Sequence, residues 1–403
     1  MEAHAEHAHH HHHHDEVEVN PAAWTDGKRY AWLLGIVVPL APFLAWGWVT
    51  LTGIGAFYFL GPVLVFVVFP LLDIAIGLDD TNPPDSVLKF LEQDRYYRWC
   101  TYVFIPIQYG GLILACYLWS SGDLSVLECV GLALTMGVVG GIAINTAHEL
   151  GHKRASSERW LSRVALAQTG YGHFFIEHNR GHHVRVATPE DPASSRLGES
   201  FWAFLPRTVK GSLTSAWGIE AARLDRLDKP HWSLHNDILS AWAMTVGLFA
   251  ALAIVFGPVV LPYLAVQAVL GFSLLEVVNY LEHYGLLRQR REDGRYQRCL
   301  PGHSWNSNNV ASNVLLYHLQ RHSDHHANPT RRYQALRHVD EAPQLPTGYA
   351  GMIVLAWFPP LWRRVMDPRL VDHFDGDLTR ANIQPSKREK ILARYGAKAG
   401  TAS

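Results

Sequence analysis

The sequence contains few cysteines and almost no net charge, and both absences narrow the range of proteins it can encode. Only four cysteines occur in 403 residues, Cys100, Cys116, Cys129 and Cys299, and no two of them form a C-x-x-C pair. This spacing excludes a zinc knuckle, an iron–sulfur motif and a disulfide framework. A formal net charge of −1 gives no reason to expect a nucleic-acid partner. The N-terminus lacks a basic and then apolar signal sequence, so membrane insertion is expected to rely on internal segments.

Long apolar runs are abundant, and six of them are candidate membrane spans. Five of the six are uncharged over 18 residues or more, which is long enough at 1.5 Å per residue to cross a hydrocarbon core of about 30 Å. The six runs are Tyr30–Leu51, Ile54–Leu72, Cys100–Trp119, Val130–Ala147, Ile238–Phe256 and Leu261–Leu275. The sequence therefore predicts an all-α, polytopic membrane protein with six transmembrane helices arranged as three hairpins.

The distribution of Lys and Arg predicts the orientation. The three hairpin turns contain neither residue, whereas the flanks and long loops hold Lys28, Arg29, Lys153, Arg154 and a basic region after Tyr284. By the positive-inside rule, both termini and both long loops are expected to be cytoplasmic. In a bacterium this location corresponds to the inner membrane, with a helical cap on the cytoplasmic side.

The expected organisation follows the chain in six parts. They are a disordered His-rich tail or tag over 1–24, transmembrane helices 1–4 over 25–147, a cytoplasmic loop or cap with two His clusters over 148–237, helices 5 and 6 over 238–283, a cytoplasmic cap with a third His cluster over 284–395, and a tail or linker over 396–403. Phe201–Trp217 is either an interfacial helix or a packed surface helix of the cap. Met352–Trp362 is too short to span and is interrupted by Pro359-Pro360.

Histidine is unusually frequent, with 24 residues. The run His9–His14 is typical of a purification tag or a metal-scavenging tail and is set aside. The first remaining cluster is His148-Glu149-Leu150-Gly151-His152, in which the i,i+4 spacing places both imidazoles on one helical face. Taken alone, this H-E-x-x-H pattern also matches zinc proteases.

Three further clusters repeat this chemistry. His178, His182 and His183 form the second cluster, and His322, His325 and His326 form the third. Adjacent histidines cannot point the same way from a helix, so each HH pair can serve two neighbouring metals. A fourth element places Glu276, Asn279, Tyr280 and His283 on one face at the end of the sixth span.

Nine imidazoles exceed the requirement of one tetrahedral zinc and suit two metal ions. Imidazole binds iron, zinc, copper and nickel, so the ligand type does not select the metal. A metal transporter would place histidines at mid-membrane depth, and the six runs contain none.

The motifs HELGHK, EHNRGHH, NYLEHYGL and LQRHSDHHANP, together with ATPEDPASSR, resemble those of the membrane alkane 1-monooxygenases, also called alkane omega-hydroxylases. The resemblance covers about Tyr30 to Val371. An eight-histidine pattern is shared with membrane desaturases and xylene monooxygenase, whereas NYLEHYGL and LQRHSDHHANP narrow the match to alkane 1-monooxygenases.

The resemblance implies two non-haem irons and a set of site residues. The implied metal ligands are His148, His152, His178, His182, His183, His283, His322, His325 and His326. Glu276 and Asn279 are the candidate catalytic residues, Glu276 through a carboxylate contact with the metals. Glu149, Glu177, Asp191, Glu282 and Asp324 are expected to accept hydrogen bonds from the ligand rings and fix their tautomers. His173, His303, His318 and His338 lie outside the matched positions and are expected to be structural.

The implied reaction is O2-dependent hydroxylation of medium-chain linear alkanes to primary alcohols. The chain has no flavin, NAD or iron–sulfur motif, so the resemblance implies electrons from rubredoxin and rubredoxin reductase, with rubredoxin a separate protein or a domain beyond Ser403. Arg331, Arg332 and Arg337 could receive an acidic donor, or simply form a solvated face. The alternatives are a membrane fatty-acyl desaturase or hydroxylase and an intramembrane zinc protease.

Overall fold

The computed structural model of the protein describes residues 20–21 and 23–399. In that part of the chain all regular structure is helical, and strand-like pairing is limited to isolated bridges such as Leu78 with Asn309. The all-α fold class is therefore confirmed. The tail expected over residues 1–24, with the run His9–His14, lies almost wholly outside the described residues.

Within the described residues, six helices are long and apolar enough to cross a membrane, as the sequence predicts, and are named spans 1 to 6. They are Ala31–Thr52, Gly55–Ile76, Arg95–Ser120, Val126–Gly151, Asp237–Phe256 and Val260–His283. The protein is thus a multi-pass membrane protein. Each helix is longer than its apolar run on at least one side because the hydrogen-bonded backbone continues into polar flanks. Span 3 therefore begins at Arg95 instead of Cys100, and span 6 continues to His283.

Spans 1 to 3 are each built from more than one helical segment. The segments are the 3-10 turn Ala31–Ile36 and helix Val37–Thr52 in span 1; the 3-10 turn Gly55–Phe59, helix Leu60–Val63, π-helix Leu64–Val68 and helix Phe69–Ile76 in span 2; and helices Arg95–Tyr102 and Phe104–Ser120 in span 3. Spans 1 and 5 end at Gly53 and Gly257, whose φ angles of 70° and 96° favour glycine. Both turns lie where the sequence predicts hairpins.

Span 4 is the central helix of the bundle. Its most apolar stretch is 78% buried, against 17% for span 5. Glycines let it approach span 6 closely: a Cβ on Gly137 would lie 2.6 Å from Leu270, and one on Gly141 would lie 2.7 Å from Leu274. Such small-xxx-small packing is typical of membrane helix pairs. It holds together spans 4 and 6, whose last turns carry His148 and His283.

A segment between spans 4 and 5 enters the bundle, which differs from the expectation that residues 148–237 form only a loop or cap. Helix Ser156–Ala167 runs back alongside span 4, and Gln168 then donates to the Met136 carbonyl in the middle of that span. Gln168 also donates to Gln267 of span 6 at 3.1 Å. Irregular backbone is tolerated at this depth because such side chains satisfy its polar groups.

The remaining helices form a cap over the end of the bundle where spans 2, 4 and 6 finish. The longer ones are Asp85–Gln93, Phe201–Arg226, Val310–Leu315, His322–Ala327, Tyr349–Ala356, Pro359–His373 and Arg388–Ala399; the short turns are Phe174–Ile176, Glu177–His182, His183–Arg185, Pro301–His303, Tyr333–Ala335, Leu378–Arg380 and Pro385–Lys387. The last long helix includes residues 396–399, where a tail or linker is expected from the sequence; residues 400–403 lie outside the described part.

Packing defines the structure of two cap segments that the sequence alone does not assign. Helix Phe201–Arg226 buries a stripe that includes Phe204, Thr208 and Ser212, so it is a packed cap helix that extends beyond Trp217. Met352–Trp362 is divided between two helices, and Pro359 begins the second. Proline is favoured at this position because the first helical N–H has no intrahelical partner.

Candidate metal centre

Nine histidines from four segments meet where spans 4 and 6 end. His148 lies in the last turn of span 4 and His152 is its C-cap residue, so the i,i+4 spacing places both rings on one side. His283 is the last residue of span 6. The short helix His322–Ala327 contributes His322, His325 and His326.

The second histidine cluster lies on a π-helix, Glu177–His182, followed by the short helix His183–Arg185. A π-helix widens the turn, so residues four and five positions apart both lie near the first residue. His178 therefore approaches both His182 and His183, with ring centroids 5.2 and 4.7 Å away. Such π segments occur frequently at functional sites.

The nine rings form two groups. His148, His152, His178, His183 and His325 make up the five-histidine group, and His182, His283, His322 and His326 make up the four-histidine group. Within each group one nitrogen per ring lies within 4.8 Å of the corresponding nitrogen of every other member. The groups adjoin, since the rings of His183 and His326 stack with centroids 4.4 Å apart.

Each pair of adjacent histidines is divided between the groups. His182 and His326 belong to the four-histidine group, whereas His183 and His325 belong to the five-histidine group. Consecutive side chains leave a helix in different directions, so an HH pair reaches two neighbouring points. This is the arrangement expected from the HH pairs in the sequence.

The ring nitrogens suit a metal better than they suit each other. The buried Nε2 atoms of His148, His152 and His325 have no hydrogen-bond partner among the described residues. In the four-histidine group, Nε2 of His322 lies 3.2 Å from Nε2 of His283 and 2.9 Å from Nε2 of His326. Converging ring nitrogens and buried unpaired nitrogens both require a partner such as a metal ion. The nine residues therefore fit a metal site.

The electrostatics of the groups favour the form of histidine that binds metals. Burial, followed by the neighbouring rings of His148 and His183, holds the pKa of His178 well below its usual range. Burial likewise holds the pKa values of His322 and His325 well below the usual range. These imidazoles are neutral at ordinary pH, and a neutral imidazole is the ligating species.

Oxygen atoms support three rings of the four-histidine group from behind. Nδ1 of His182 lies 2.7 Å from Oδ2 of Asp191. Although burial opposes ionisation, the contacts with His182 and then Ser194 lower the pKa of Asp191 to about 2. A carboxylate in this position fixes the ring and leaves its other nitrogen free for a metal.

The other two supporting contacts differ in strength. Nδ1 of His283 lies 2.9 Å from the backbone carbonyl of His303, within hydrogen-bond geometry. Nδ1 of His322 lies 2.7 Å from Oε2 of Glu282, but the geometry of this contact does not meet that of a hydrogen bond, so it is the weaker of the two. The carbonyl could not be found from the sequence because every residue carries one.

Three carboxylates expected behind ligand rings contact other groups instead. Glu149 pairs with Lys153 and accepts from the backbone N–H of Tyr333. Asp324 pairs with Arg331. Glu177 pairs with Arg185, and burial raises its pKa to about 7.

Glu276 and Asn279 belong to a hydrogen-bond network inside the bundle. The Glu276 carboxylate accepts from the hydroxyls of Tyr171 at 2.6 Å and Thr208 at 3.0 Å, and from the Asn279 amide at 3.1 Å. Glu276 lies in neither histidine group. Both carboxylate oxygens accept hydrogen bonds within this network, and the contact between Glu276 and the metals stays a prediction of the resemblance. Tyr171 and Thr208 were missed, since neither lies in a recognisable motif.

The histidines expected to be structural lie outside both groups. His318 contacts the Tyr333 carbonyl at 2.7 Å and His338 contacts Asp340 at 2.8 Å. The His303 ring accepts from the Leu300 N–H at 2.8 Å. The buried ring of His173 has no hydrogen-bond partner among the described residues.

A small apolar cavity of about 20 Å³ lies below the histidines. Its lining includes Val65 of span 2, Ile142 of span 4, Val278 of span 6 and Ile353 of the cap. Asn145, one helical turn before His148, is its one polar lining residue. An apolar cavity therefore lies between spans 2, 4 and 6, one helical turn from His148.

The six spans and the two histidine groups define a polytopic membrane protein with a histidine-rich metal site. Residues 125–356, more than half of the chain, match the fatty acid desaturase family model. The chain is also 48% identical to alkane 1-monooxygenase 1 of Alcanivorax borkumensis, with 93% of each chain covered. It is 49% identical to alkane 1-monooxygenase of Acinetobacter baylyi, with 92% of each covered, and 48% identical to that of Ectopseudomonas oleovorans, with 93% of each covered.

The chain belongs to the alkane 1-monooxygenase family, which confirms the resemblance carried by its four motifs. It is an oxidoreductase of the monooxygenase class.

Proposed function

We propose that the protein hydroxylates the terminal carbon of medium-chain linear alkanes, using O2 and two electrons from rubredoxin. The balanced reaction is RH + O2 + 2 e⁻ + 2 H⁺ → ROH + H2O. The observation that carries this proposal is the convergence of nine largely buried histidines at the ends of spans 4 and 6, with an apolar cavity between the spans one helical turn from His148.

Two non-haem irons are the proposed cofactor, one held by the five-histidine group and one by the four-histidine group. When bound, they would supply the redox chemistry that activates O2 and the C–H bond. The histidines contribute neutral nitrogen ligands, while Asp191, Glu282 and the His303 carbonyl orient three of the rings.

An alkane offers no polar group, so its binding must come from apolar burial, at about 0.8 kcal/mol per methylene. The cavity beside Ile142 and Val278 supplies such surface, and the alkane would enter it from the bilayer. A cavity of about 20 Å³ has room for little more than one water. Side chains such as Leu275 and Ile353 must therefore rotate to admit a hydrocarbon chain.

We assign Glu276 and Asn279 a positioning role in catalysis. Asn279 lies one helical turn before His283, and Glu276 joins it to Tyr171 and Thr208 of the cap segments. This network holds span 6 against the segment that carries the second histidine cluster. Its loss would shift His283 relative to His178 and lower turnover more than substrate binding.

The electron donor is proposed to be rubredoxin, reduced in turn by rubredoxin reductase. Arg331, Arg332 and Arg337 are poorly suited to attract an acidic donor, because each is already paired with a carboxylate: Asp324, Glu158 and Asp85 respectively.

A cleft of about 680 Å³ on the cap offers a better entry point for electrons. Pro301 and His303 line it. The His303 carbonyl accepts from His283, and the Pro301 carbonyl accepts from Ser323, the neighbour of His322. Both contacts link the cleft to the four-histidine group. The exposed Arg295 and Arg298 nearby form no ion pair within the described part of the chain and could attract an acidic donor.

The proposed location is the bacterial inner membrane, with both termini and the cap in the cytoplasm. The basic residues on the cap side, such as Lys153 and Arg154, support this orientation, because the opposite turns contain neither Lys nor Arg. Reduced rubredoxin would then reach the cap directly.

The decisive experiment combines metal analysis of the purified chain with an O2-dependent octane assay that includes rubredoxin and its reductase. A chelator wash first strips weakly held metal from the run His9–His14. His182→Ala and His325→Ala, one from each group, are expected to lose iron and alcohol formation together. His235→Ala removes an exposed histidine outside both groups and should leave both unchanged. Retained turnover in either ligand variant would contradict the proposal.

The same assay separates the alternatives. Conversion of a fatty-acyl substrate in preference to octane would identify a desaturase or acyl hydroxylase. A single zinc per chain, with peptide cleavage that depends on Glu149, would identify an intramembrane protease. That reading leaves His178, His183 and His325 without a role, although they share a group with His148 and His152.

A further inference from the structure

A second large cleft lies within the cap. It has a volume of about 730 Å³ and lies between helices Pro359–His373 and Arg388–Ala399 and the start of helix Phe201–Arg226. Its polar lining includes Arg363, Arg364, Asp367, Lys387 and Arg394. None of these residues belongs to either histidine group, so the proposed reaction does not account for the cleft.

The cleft carries an excess of positive charge. Among the described residues, four basic side chains line it, against the single carboxylate of Asp367. That carboxylate is buried, and it is already engaged by Arg363 at 3.1 Å and by the Tyr284 hydroxyl at 2.8 Å. Arg364 and Arg394 are exposed and have no ion-pair partner among the described residues.

Lys387 contributes a further cation without a carboxylate partner. Its ammonium group donates to the Gly198 carbonyl at 2.9 Å and forms no ion pair in the described chain. Three of the four cations are therefore available to a ligand. A ligand that pairs with all three must be an anion. A phosphate group, with several acceptor oxygens and at least one charge, meets this requirement.

Exposed apolar side chains are next in the chain to residues that line the cleft, and we call them its rim: Phe358 and Leu361 flank Pro359 and Pro360, and Trp202 follows Ser200 by two positions. Trp202 is 55% exposed, Phe358 is 54% exposed and Leu361 is 49% exposed. Large apolar side chains grouped in this way on a cap surface mark contact with lipid or with another protein.

The position of this rim favours lipid. The ring of Trp357, next to Phe358, packs on Phe66 of span 2 with centroids 4.8 Å apart. The Trp357 carbonyl also accepts from the indole N–H of Trp202 at 3.0 Å. Because Phe66 belongs to a membrane span, the rim lies at the level of the bilayer.

Apolar and basic side chains follow each other along one helix face. Leu361 and Arg364 are three residues apart in helix Pro359–His373 and so lie on the same side, separated by about 4.5 Å along the axis. Arginine at such a boundary extends its guanidinium towards the headgroups while its stem stays on the apolar surface. Along this face the apolar side chain is followed by the basic one, just as the acyl chains of a phospholipid are followed by its phosphate.

We propose that this cleft binds the phosphate headgroup of an anionic phospholipid. Arg364, Lys387 and Arg394 contact the phosphate, while Trp202, Phe358 and Leu361 pack against the acyl chains. The bound lipid would fix the cap to the bilayer surface. Free phosphate shares the headgroup chemistry, but it has no apolar part that could pack against the rim.

The test uses the full chain in detergent micelles, titrated separately with phosphatidylglycerol, phosphatidylcholine, glycerol phosphate and inorganic phosphate. Binding is followed by native mass spectrometry, with the thermal unfolding midpoint as a second readout. We expect saturable binding of about one phosphatidylglycerol at this site, and much weaker binding of phosphatidylcholine and of the two soluble phosphates.

The critical variant is Arg364→Gln/Arg394→Gln. It should bind phosphatidylglycerol about 25-fold more weakly, at about fivefold per cation. The matched control is Arg295→Gln/Arg298→Gln, which removes the same charge from exposed arginines elsewhere on the cap and should bind as the parent chain does. Iron content of all variants checks that the fold is intact.

Three results would overturn the proposal. Equal affinity for phosphatidylglycerol and phosphatidylcholine would show that the net charge of the lipid headgroup does not contribute to binding. An equal loss in both double variants would indicate a general electrostatic effect of the cap. Inorganic phosphate binding as tightly as phosphatidylglycerol would make the cleft a site for a soluble anion.

Discussion

The two histidine groups differ in the oxygen atoms that contact their rings. In the four-histidine group, Asp191 contacts His182, Glu282 lies beside His322 and the His303 carbonyl accepts from His283. Within the described chain, no carboxylate lies within hydrogen-bond or ion-pair distance of any ring of the five-histidine group.

This difference indicates two ways of holding a metal. In the four-histidine group, oxygen contacts fix the tautomer and raise the basicity of the ligands. The five-histidine group instead has one more imidazole, and two of its rings, His148 and His152, lie at the end of span 4. Removing a single carboxylate should therefore damage the two groups unequally.

The largest effect is expected for Asp191→Asn. The variant keeps the size of the side chain but removes the charge that supports His182 at 2.7 Å. Iron affinity and turnover should fall about 10- to 100-fold, as for other carboxylates behind metal-bound histidines. Iron per chain after graded chelator treatment measures the effect. Glu190→Gln, which changes an exposed neighbouring acid, is the control and should match the parent chain. Unchanged iron affinity in Asp191→Asn would contradict the comparison.

A smaller loss is expected for Glu282→Gln, at the lower end of the same range, about tenfold. The carboxylate lies 2.7 Å from His322, but the geometry of the contact is not that of a hydrogen bond, so the substitution removes a weaker contact than the one at His182. The same chelator series measures it. Tyr349→Phe removes the hydroxyl that donates to Glu282 at 3.2 Å and keeps the carboxylate, so it should retain most of its iron. A larger loss in Tyr349→Phe than in Glu282→Gln would overturn this ranking.

The parts of this site that sequence reasoning could reach are those determined by local spacing. The pair His148 and His152 depends on i,i+4 geometry, and the division of His325 from His326 depends on adjacent side chains diverging from a helix. The spans follow from apolar runs of sufficient length. These features depend only on residues that are close to one another in the sequence.

The remainder depends on contacts between distant segments. Glu177 adjoins His178 in the chain but pairs with Arg185, whereas Asp191 reaches His182 from nine residues away. The π-helix at Glu177–His182 has no recognisable sequence signal here. The entry of Gln168 into the bundle depends on partners such as Gln267 of span 6, which lies far away in the sequence.

A third variant, Glu149→Gln, probes the group that lacks carboxylate support. Glu149 is next to His148 but pairs with the buried Lys153 at 3.1 Å. Iron content should therefore stay at the parent level, while the free energy of unfolding falls by about 3 kcal/mol because Lys153 loses its partner. Metal analysis and thermal unfolding measure the two effects. The double variant Glu149→Gln/Lys153→Gln should recover part of the stability. Iron loss as large as that of Asp191→Asn would show that the two groups are supported alike.

The smallest effect is expected for His173→Phe, which asks whether an unpaired ring nitrogen by itself indicates a metal ligand. His173 is buried and neither ring nitrogen has a partner in the described structure, as is true of Nε2 in His148 and His325. It lies outside both groups, however, with its ring 4.4 Å from that of Tyr171. Removing two unpaired buried nitrogens, each costing about 1–3 kcal/mol, should leave iron content unchanged and hold or raise the unfolding midpoint. His148→Phe, measured alongside, should lose iron. If His173→Phe loses iron as well, the metal centre extends beyond the nine histidines, and the comparison of its two groups must include a tenth ring.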